Sequence, residues 1–147
     1  MTERLNPWQV APELMDAMLN MEKAAANSGL EHSLYELIKT RASQINGCAY
    51  CLHMHTRDAR KAGETEERLY LLNAWRESSY YTPRERAALA WVETLTLVST
   101  ERAPEPLWQE VCKHFNEHER VALTLAINTI NAWNRFAIAF ATMHPEK

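Results

Sequence analysis

Two of the chain's three cysteines stand three residues apart in the stretch QINGCAYCLHMH, Gln44–His55, and a histidine follows the second by four. Thiols so spaced do one of three things: they cycle between dithiol and disulfide, they hold a metal ion, or they fill a core as small polarizable side chains. If a helix begins at Cys48, a step of about 100° per residue brings Cys51 and His55 within roughly 60° of it, on one face. Tyr50 and His53 then point elsewhere. Cα atoms three apart on a helix lie about 5–6 Å from each other, inside the range a disulfide requires, so the pair can open and close without unfolding.

The reactive species is the thiolate, and a cysteine of ordinary pKa, about 8.5, is only a few per cent ionised at pH 7. The unpaired N–H groups of a helix's first turn and a histidine one turn on are the surroundings that lower it. His55 is also placed to pass protons near neutral pH. A proton relay further needs a carboxylate, and Glu36 sits early in the preceding helix, which the Asn46-Gly47 turn folds back over the cysteine face. Glu36 has a competing duty, because Ser33-Leu34-Tyr35-Glu36 has the form of a capping box. A zinc knuckle would need partners such as Cys112 and His114, without a second CxxC to support it. Haem attachment is excluded, since Leu52 and not histidine follows Cys51.

The elements that must hold these residues are helical. Pro7-Trp8 opens a first helix carrying Val10, Leu14, Met18 and Met21 at spacings of three and four, and Asn27-Ser28-Gly29 ends it. A second runs from about Ser33 to Ile45, with Asn46-Gly47 suited to a left-handed cap. The third, Cys48 to about Ala62, stops at Gly63. A short fourth spans Glu66 to Trp75. Thr82-Pro83-Arg84-Glu85 caps a fifth that continues through Val98, Pro106 to Phe115 makes a sixth, and Asn116-Glu117-His118-Glu119 caps a seventh reaching about Ala141. No alternating strand pattern, repeat or low-complexity run interrupts them. The expectation is one all-α domain over residues 1–147, a bundle of roughly seven helices.

The chain's 147 residues are long enough to bury a core without disulfides. A net charge of -3 gives no pull toward phosphate backbones or anionic lipid, which argues against nucleic acid and membrane partners. The N-terminus MTERLNPWQVAPELM lacks a secretory pattern, and the most apolar segment, Val121 to Thr142, contains Asn128, Asn131, Asn134 and Arg135. A cytoplasmic protein is expected. Leu123, Leu125, Ile127, Ile130, Trp133, Phe136, Ile138 and Phe140 surround most of the last helix, which predicts that it is either central or shared with a second copy in a homo-oligomer.

The spacing Glu36-x11-Cys48-x2-Cys51-x3-His55, with SQINGC around the first cysteine and INAWNR at Ile130–Arg135, resembles the AhpD-like alkylhydroperoxidases of the carboxymuconolactone decarboxylase superfamily. The resemblance implies an all-helical subunit assembling as trimers or hexamers, and a thiol peroxidase without cofactor or metal. By that likeness Cys51 attacks a hydroperoxide, Cys48 resolves the sulfenic acid to a disulfide, Glu36 and His55 relay protons, and a dithiol reductant resets the pair. Tyr50 departs from the better-known members, which carry histidine just before the second cysteine. Lactone decarboxylation, also in the superfamily's name, would leave the cysteine pair without a role. The alternative of a different class is a redox-sensing or zinc-binding CxxC interaction module.

Overall fold

The computed structural model describes residues 2–146. They form nine α-helices and one 3₁₀ segment, with no strand among the described residues: α1 Pro7–Val10, α2 Pro12–Ala26, α3 His32–Asn46, α4 Ala49–Lys61, α5 Glu66–Tyr70, the 3₁₀ turn Leu72–Glu77, α6 Pro83–Thr96, α7 Val98–Glu101, α8 Glu105–His114 and α9 Glu117–Phe140. The all-α expectation holds; the difference from seven helices lies in three breaks. The first helix divides at Ala11, whose φ of −143° and ψ of 64° leave the helical region because Pro12 follows. The fourth ends at Tyr70 and continues as a 3₁₀ turn with non-helical Ala74 inside it. The fifth stops at Thr96, and Val98–Glu101 forms a separate turn.

Local chemistry accounts for the boundaries nearest the site. Gly47 takes the left-handed conformation, φ 67° and ψ 36°, and closes α3, after which Cys48 is the extended N-cap of α4. Complete capping boxes start α6 at Thr82/Glu85 and α9 at Asn116/Glu119. The Ser33 capping box does not form: α3 starts one residue earlier, with Glu31 at the N-cap and no side-chain cap.

Helix α3 is central, buried from Leu34 through Thr40 and packed on α4, α6 and α9. The main core joins α3, α6, α8 and α9 through Ile38, Ala42, Val92, Val111, Phe115, Leu123, Ile127 and Ile130. The inner face of α9 belongs to this core, whereas Val121 and Ile138 on its outer face are 70% and 47% exposed. The cysteines lie apart from that core, against Ala137 and Tyr50. No helix among the described residues is long and apolar enough to cross a membrane.

Candidate active site

The α3–Gly47–α4 turn sets the cysteines. Cys48 N–H donates to the Ser43 carbonyl at 3.0 Å, fixing the entry to α4, and Cys51 N–H donates to Cys48 Sγ at 3.3 Å. The two sulfurs are joined as a disulfide across a Cα separation of 5.3 Å, within the range foreseen for residues three apart. Both residues are buried, at 1% and 2% exposure, although each borders a cavity.

His55, one turn after Cys51, is also buried, and its Nδ1 lies 3.5 Å from Glu36 Oε2. This contact is at the outer edge of hydrogen bonding, and neither atom has another partner. The other carboxylate oxygen of Glu36 meets Lys39 Nζ at 2.9 Å, and His32 approaches it from the exposed start of α3 at 3.8 Å. Burial pushes the Glu36 carboxyl up, but hydrogen bonds to His55 and Lys39, with the charge on Lys39, outweigh it and hold the group below its ordinary value. The four residues of the sequence motif therefore form two contacting pairs, Cys48 with Cys51 and Glu36 with His55, adjoining along α4.

Sequence reasoning missed Lys39, Glu22 and Tyr35. Lys39, 6% exposed, neutralises Glu36 and approaches Glu22 Oε1 at 3.8 Å. The Tyr35 hydroxyl donates to Glu22 Oε1 at 2.8 Å, and Trp133 Nε1 donates to Glu22 Oε2 at 3.1 Å. Burial and the neighbouring Glu22 push the Tyr35 hydroxyl's pKa up, keeping it a donor. Lys39 had one readable signal, its i+3 position relative to Glu36 on one helix face. Glu22 had none.

A cavity of about 330 Å³ opens beside Cys51 and His55. Lys39 and Glu22 reach its wall, and Trp8, Leu19, Met54 and Phe136 make much of the rest apolar. Tyr50, expected to point away from the cysteine face, borders this cavity and packs on the disulfide. On the opposite side of the turn, the INAWNR asparagines have a structural duty. Asn46 Nδ2 donates to Asn131 Oδ1 and Asn134 Oδ1, both at 2.9 Å, tying the end of α3 to α9. Cys112 remains a free thiol on α8, and among the described residues no group of three or more His, Cys, Asp or Glu is placed to hold a metal ion.

A buried, bonded cysteine pair at a helix start, with a carboxylate–histidine couple one turn away, defines a helical dithiol/disulfide site. Residues 12–94 match the model of the carboxymuconolactone decarboxylase family, and the chain belongs to that family, with an AhpD-like fold. It is 46% identical over its full length to the full length of YdfG, an uncharacterized protein of Bacillus subtilis. The crystal structure of ATU0492 from Agrobacterium tumefaciens, a protein of unknown function named provisionally as an AhpD antioxidant defence protein, superposes with a TM-score of 0.97 at 41% identity, covering 99% of this chain and all of that one. The debrominase Bmp8 has the same fold at 20% identity, with a TM-score of 0.82 over 91% of this chain and 72% of its own.

Proposed function

We propose that the protein is a thiol-dependent peroxidase that reduces hydroperoxides through the Cys48/Cys51 pair. The observation carrying this reading is the bonded pair beside a buried Glu36–His55 couple whose facing atoms, Oε2 and Nδ1, have no other partner. A buried carboxylate facing an imidazole one helical turn from Cys51 is placed to orient that ring and to balance its charge as it passes a proton.

In the reduced protein Cys51 is the attacking thiolate, because it borders the cavity that His55 also lines. It bonds to the outer peroxide oxygen, the O–O bond breaks, and the alcohol or water departs with a proton supplied through His55. Sulfur is oxidised to sulfenic acid while the peroxide is reduced. Cys48 then attacks Cys51 Sγ, the S–S bond forms and water leaves, which gives the bonded pair seen here. Glu36 holds the imidazole in place and compensates its charge whenever it carries the proton. A dithiol reductant returns two electrons to close the cycle.

The test is peroxide consumption with a dithiol donor, alongside the protein's mass before and after one equivalent of peroxide. Wild type should lose two hydrogens within the peptide containing Cys48 and Cys51, and Cys51→Ser should lose turnover by on the order of 10³-fold or more. Wild-type turnover in Cys51→Ser would end the reading. Disulfide formation without turnover would instead assign a redox sensor or dithiol oxidoreductase. A homo-oligomer, a trimer or hexamer, rests on the family resemblance, since the exposed Val121 and Ile138 of α9 are separated on its outer face by the exposed Asn128 and Arg135. Sedimentation should therefore return three or six times the 17.0 kDa chain mass, and a monomer at micromolar concentration would refute it.

A further inference from the structure

Helix α4 turns one face to the cavity beside the disulfide. Cys51, Met54, His55 and Asp58 recur along it at spacings of three and four, and all of them border that space. Seven residues at about 1.5 Å each place Asp58 roughly 10 Å along the helix from Cys51 and within about 20° of it around the axis. The proton relay has no use for Asp58, and neither has the fold. Its carboxylate is half-buried, has no ion-pair or side-chain hydrogen-bond partner among the described residues, and stands in the last turn of α4, where the helix dipole disfavours negative charge.

The other charges at the cavity do not cancel it. Lys39 is the cation of the wall, but its side chain is only 8% exposed and its Nζ lies between two carboxylates, 2.9 Å from Glu36 and 3.8 Å from Glu22. The Glu22 side chain, at 29%, is the more accessible partner. The basic residues at the end of α4, Arg57, Arg60 and Lys61, border a separate groove with Thr56 and Leu69. Glu22, Glu36 and Asp58 thus stand against Lys39, and a proton on His55 still leaves negative charge in excess. Poorly solvated walls let that excess act on whatever enters. The rest of the lining suits a flat apolar body: Trp8 and Trp133 stack with centroids 6.1 Å apart, and Tyr50 and Phe136 join them. At about 330 Å³ the space is at the small end of the ~300–1,000 Å³ range of ligand cavities, which fits a single substituted ring.

Resting on the peroxidase reading, we propose that Asp58 is a specificity-determining residue for the charge of the substrate. The cavity takes a one-ring hydroperoxide whose end remote from the peroxide is uncharged or carries an ammonium group, and it turns away the carboxylate-bearing analogue. With the peroxide oxygens at Cys51, the ring lies along the α4 face between the indoles, and its far substituent meets Asp58. Glu22 serves the same selection by leaving Lys39 no free charge with which to hold an anion.

Three cumene hydroperoxides that differ only in the para group, aminomethyl, methyl ester or carboxylate, test this on the full chain near pH 7.5. Wild type should favour the ester over the carboxylate about ten-fold or more in kcat/KM, with the aminomethyl compound at least equal to the ester. The difference should lie in KM, because the varied group is remote from the reacting oxygens, and it should shrink as salt is raised, which a steric preference would not do. Asp58→Asn should lower the ester-to-carboxylate ratio several-fold, and Asp58→Lys should invert it; should Asp58→Lys lose helical structure, Asp58→Asn is read alone. A wild-type ratio near one, or a ratio that neither variant moves, would overturn the proposal. The corresponding cumyl alcohols, titrated against the oxidised chain by tryptophan fluorescence, separate the two readings. Absence of turnover with every hydroperoxide, while the alcohols still bind in the charge order and lose it in Asp58→Asn, would strike the peroxidase reading and leave the charge selection standing.

Discussion

Two buried polar clusters lie along α3, one on each side of the cysteine turn, and they are built on opposite principles. Toward the helix start, Glu36, Lys39 and His55 bring charge into the interior, and Glu36 Oε2 faces His55 Nδ1 at 3.5 Å with no other partner for either atom. Toward its end, Asn46, Asn131, Asn134 and Ser43 are neutral and paired: Asn134 Nδ2 donates to Ser43 Oγ at 3.0 Å, and Asn131 Nδ2 to Thr96 Oγ1 at 3.0 Å. Ser43 Oγ in turn donates to the Lys39 carbonyl at 2.7 Å, so the clusters share a backbone. A satisfied neutral network fixes register, whereas a charged one whose carboxylate–imidazole contact is long and lies next to a cavity is suited to proton transfer. By that contrast, the Asn cluster fixes the entry to α4, and on the proposed peroxidase reading the Glu36 cluster handles the protons.

The largest effect that sharpens the contrast is expected at Lys39. Lys39→Met leaves Glu36 buried without its compensating charge, and should destabilise the fold by about 3–5 kcal/mol in denaturant titration. It should also shift the acid limb of the turnover profile to higher pH. The sign follows from Glu36: in the wild type its folded carboxyl is held below its ordinary value, so its contribution to stability is complete above the unfolded pKa, about 4.3, and is lost as pH falls through the folded one. Removing Lys39 leaves burial less opposed and raises the carboxyl. Adding Glu36→Gln to Lys39→Met removes the stranded charge and should recover most of the stability, while turnover stays down by about 10²-fold. Recovery of turnover together with stability would make the charged cluster structural and erase the contrast.

The sequence made some of this legible because certain signals are local. Thr82–Glu85 and Asn116–Glu119 are short-range capping devices, Gly47 needs only its own backbone, and the i, i+3, i+4 geometry of Cys48, Cys51 and His55 is internal to one turn of chain. The Ser33-Leu34-Tyr35-Glu36 box looked equally good and failed for a tertiary reason. A carboxylate that meets an ammonium one turn along its own helix and an imidazole across the α3–α4 contact has stronger partners than a backbone N–H. Glu22 was invisible on the same grounds: its bond to Trp133 spans 111 residues, and no periodicity encodes it. INAWNR stood out as a motif, yet its work, receiving Asn46 from 85 and 88 residues away, appears only when α9 is laid along α3.

The smallest effect is expected in the neutral cluster, and it tests the other half of the comparison. Asn134 is fully buried; it accepts from Asn46 and donates to Ser43. Asn134→Ala strips Ser43 Oγ of its donor, but Asn46 Nδ2 keeps Asn131 Oδ1 and Ser43 keeps its bond to the Lys39 carbonyl. The cost should be about 1–3 kcal/mol, the range for a buried polar group left short of one partner. Cys48 N–H still has the Ser43 carbonyl, so the entry to α4 is retained and peroxide turnover per folded molecule should stay within a few-fold of wild type. Turnover that instead falls as far as in the Glu36→Gln/Lys39→Met chain, in protein that melts cooperatively, would place the asparagines in the proton-handling machinery. The division between a cluster that positions and a cluster that reacts would then be wrong, since both ends of α3 would be acting on the sulfur through the backbone that Ser43 and Lys39 share.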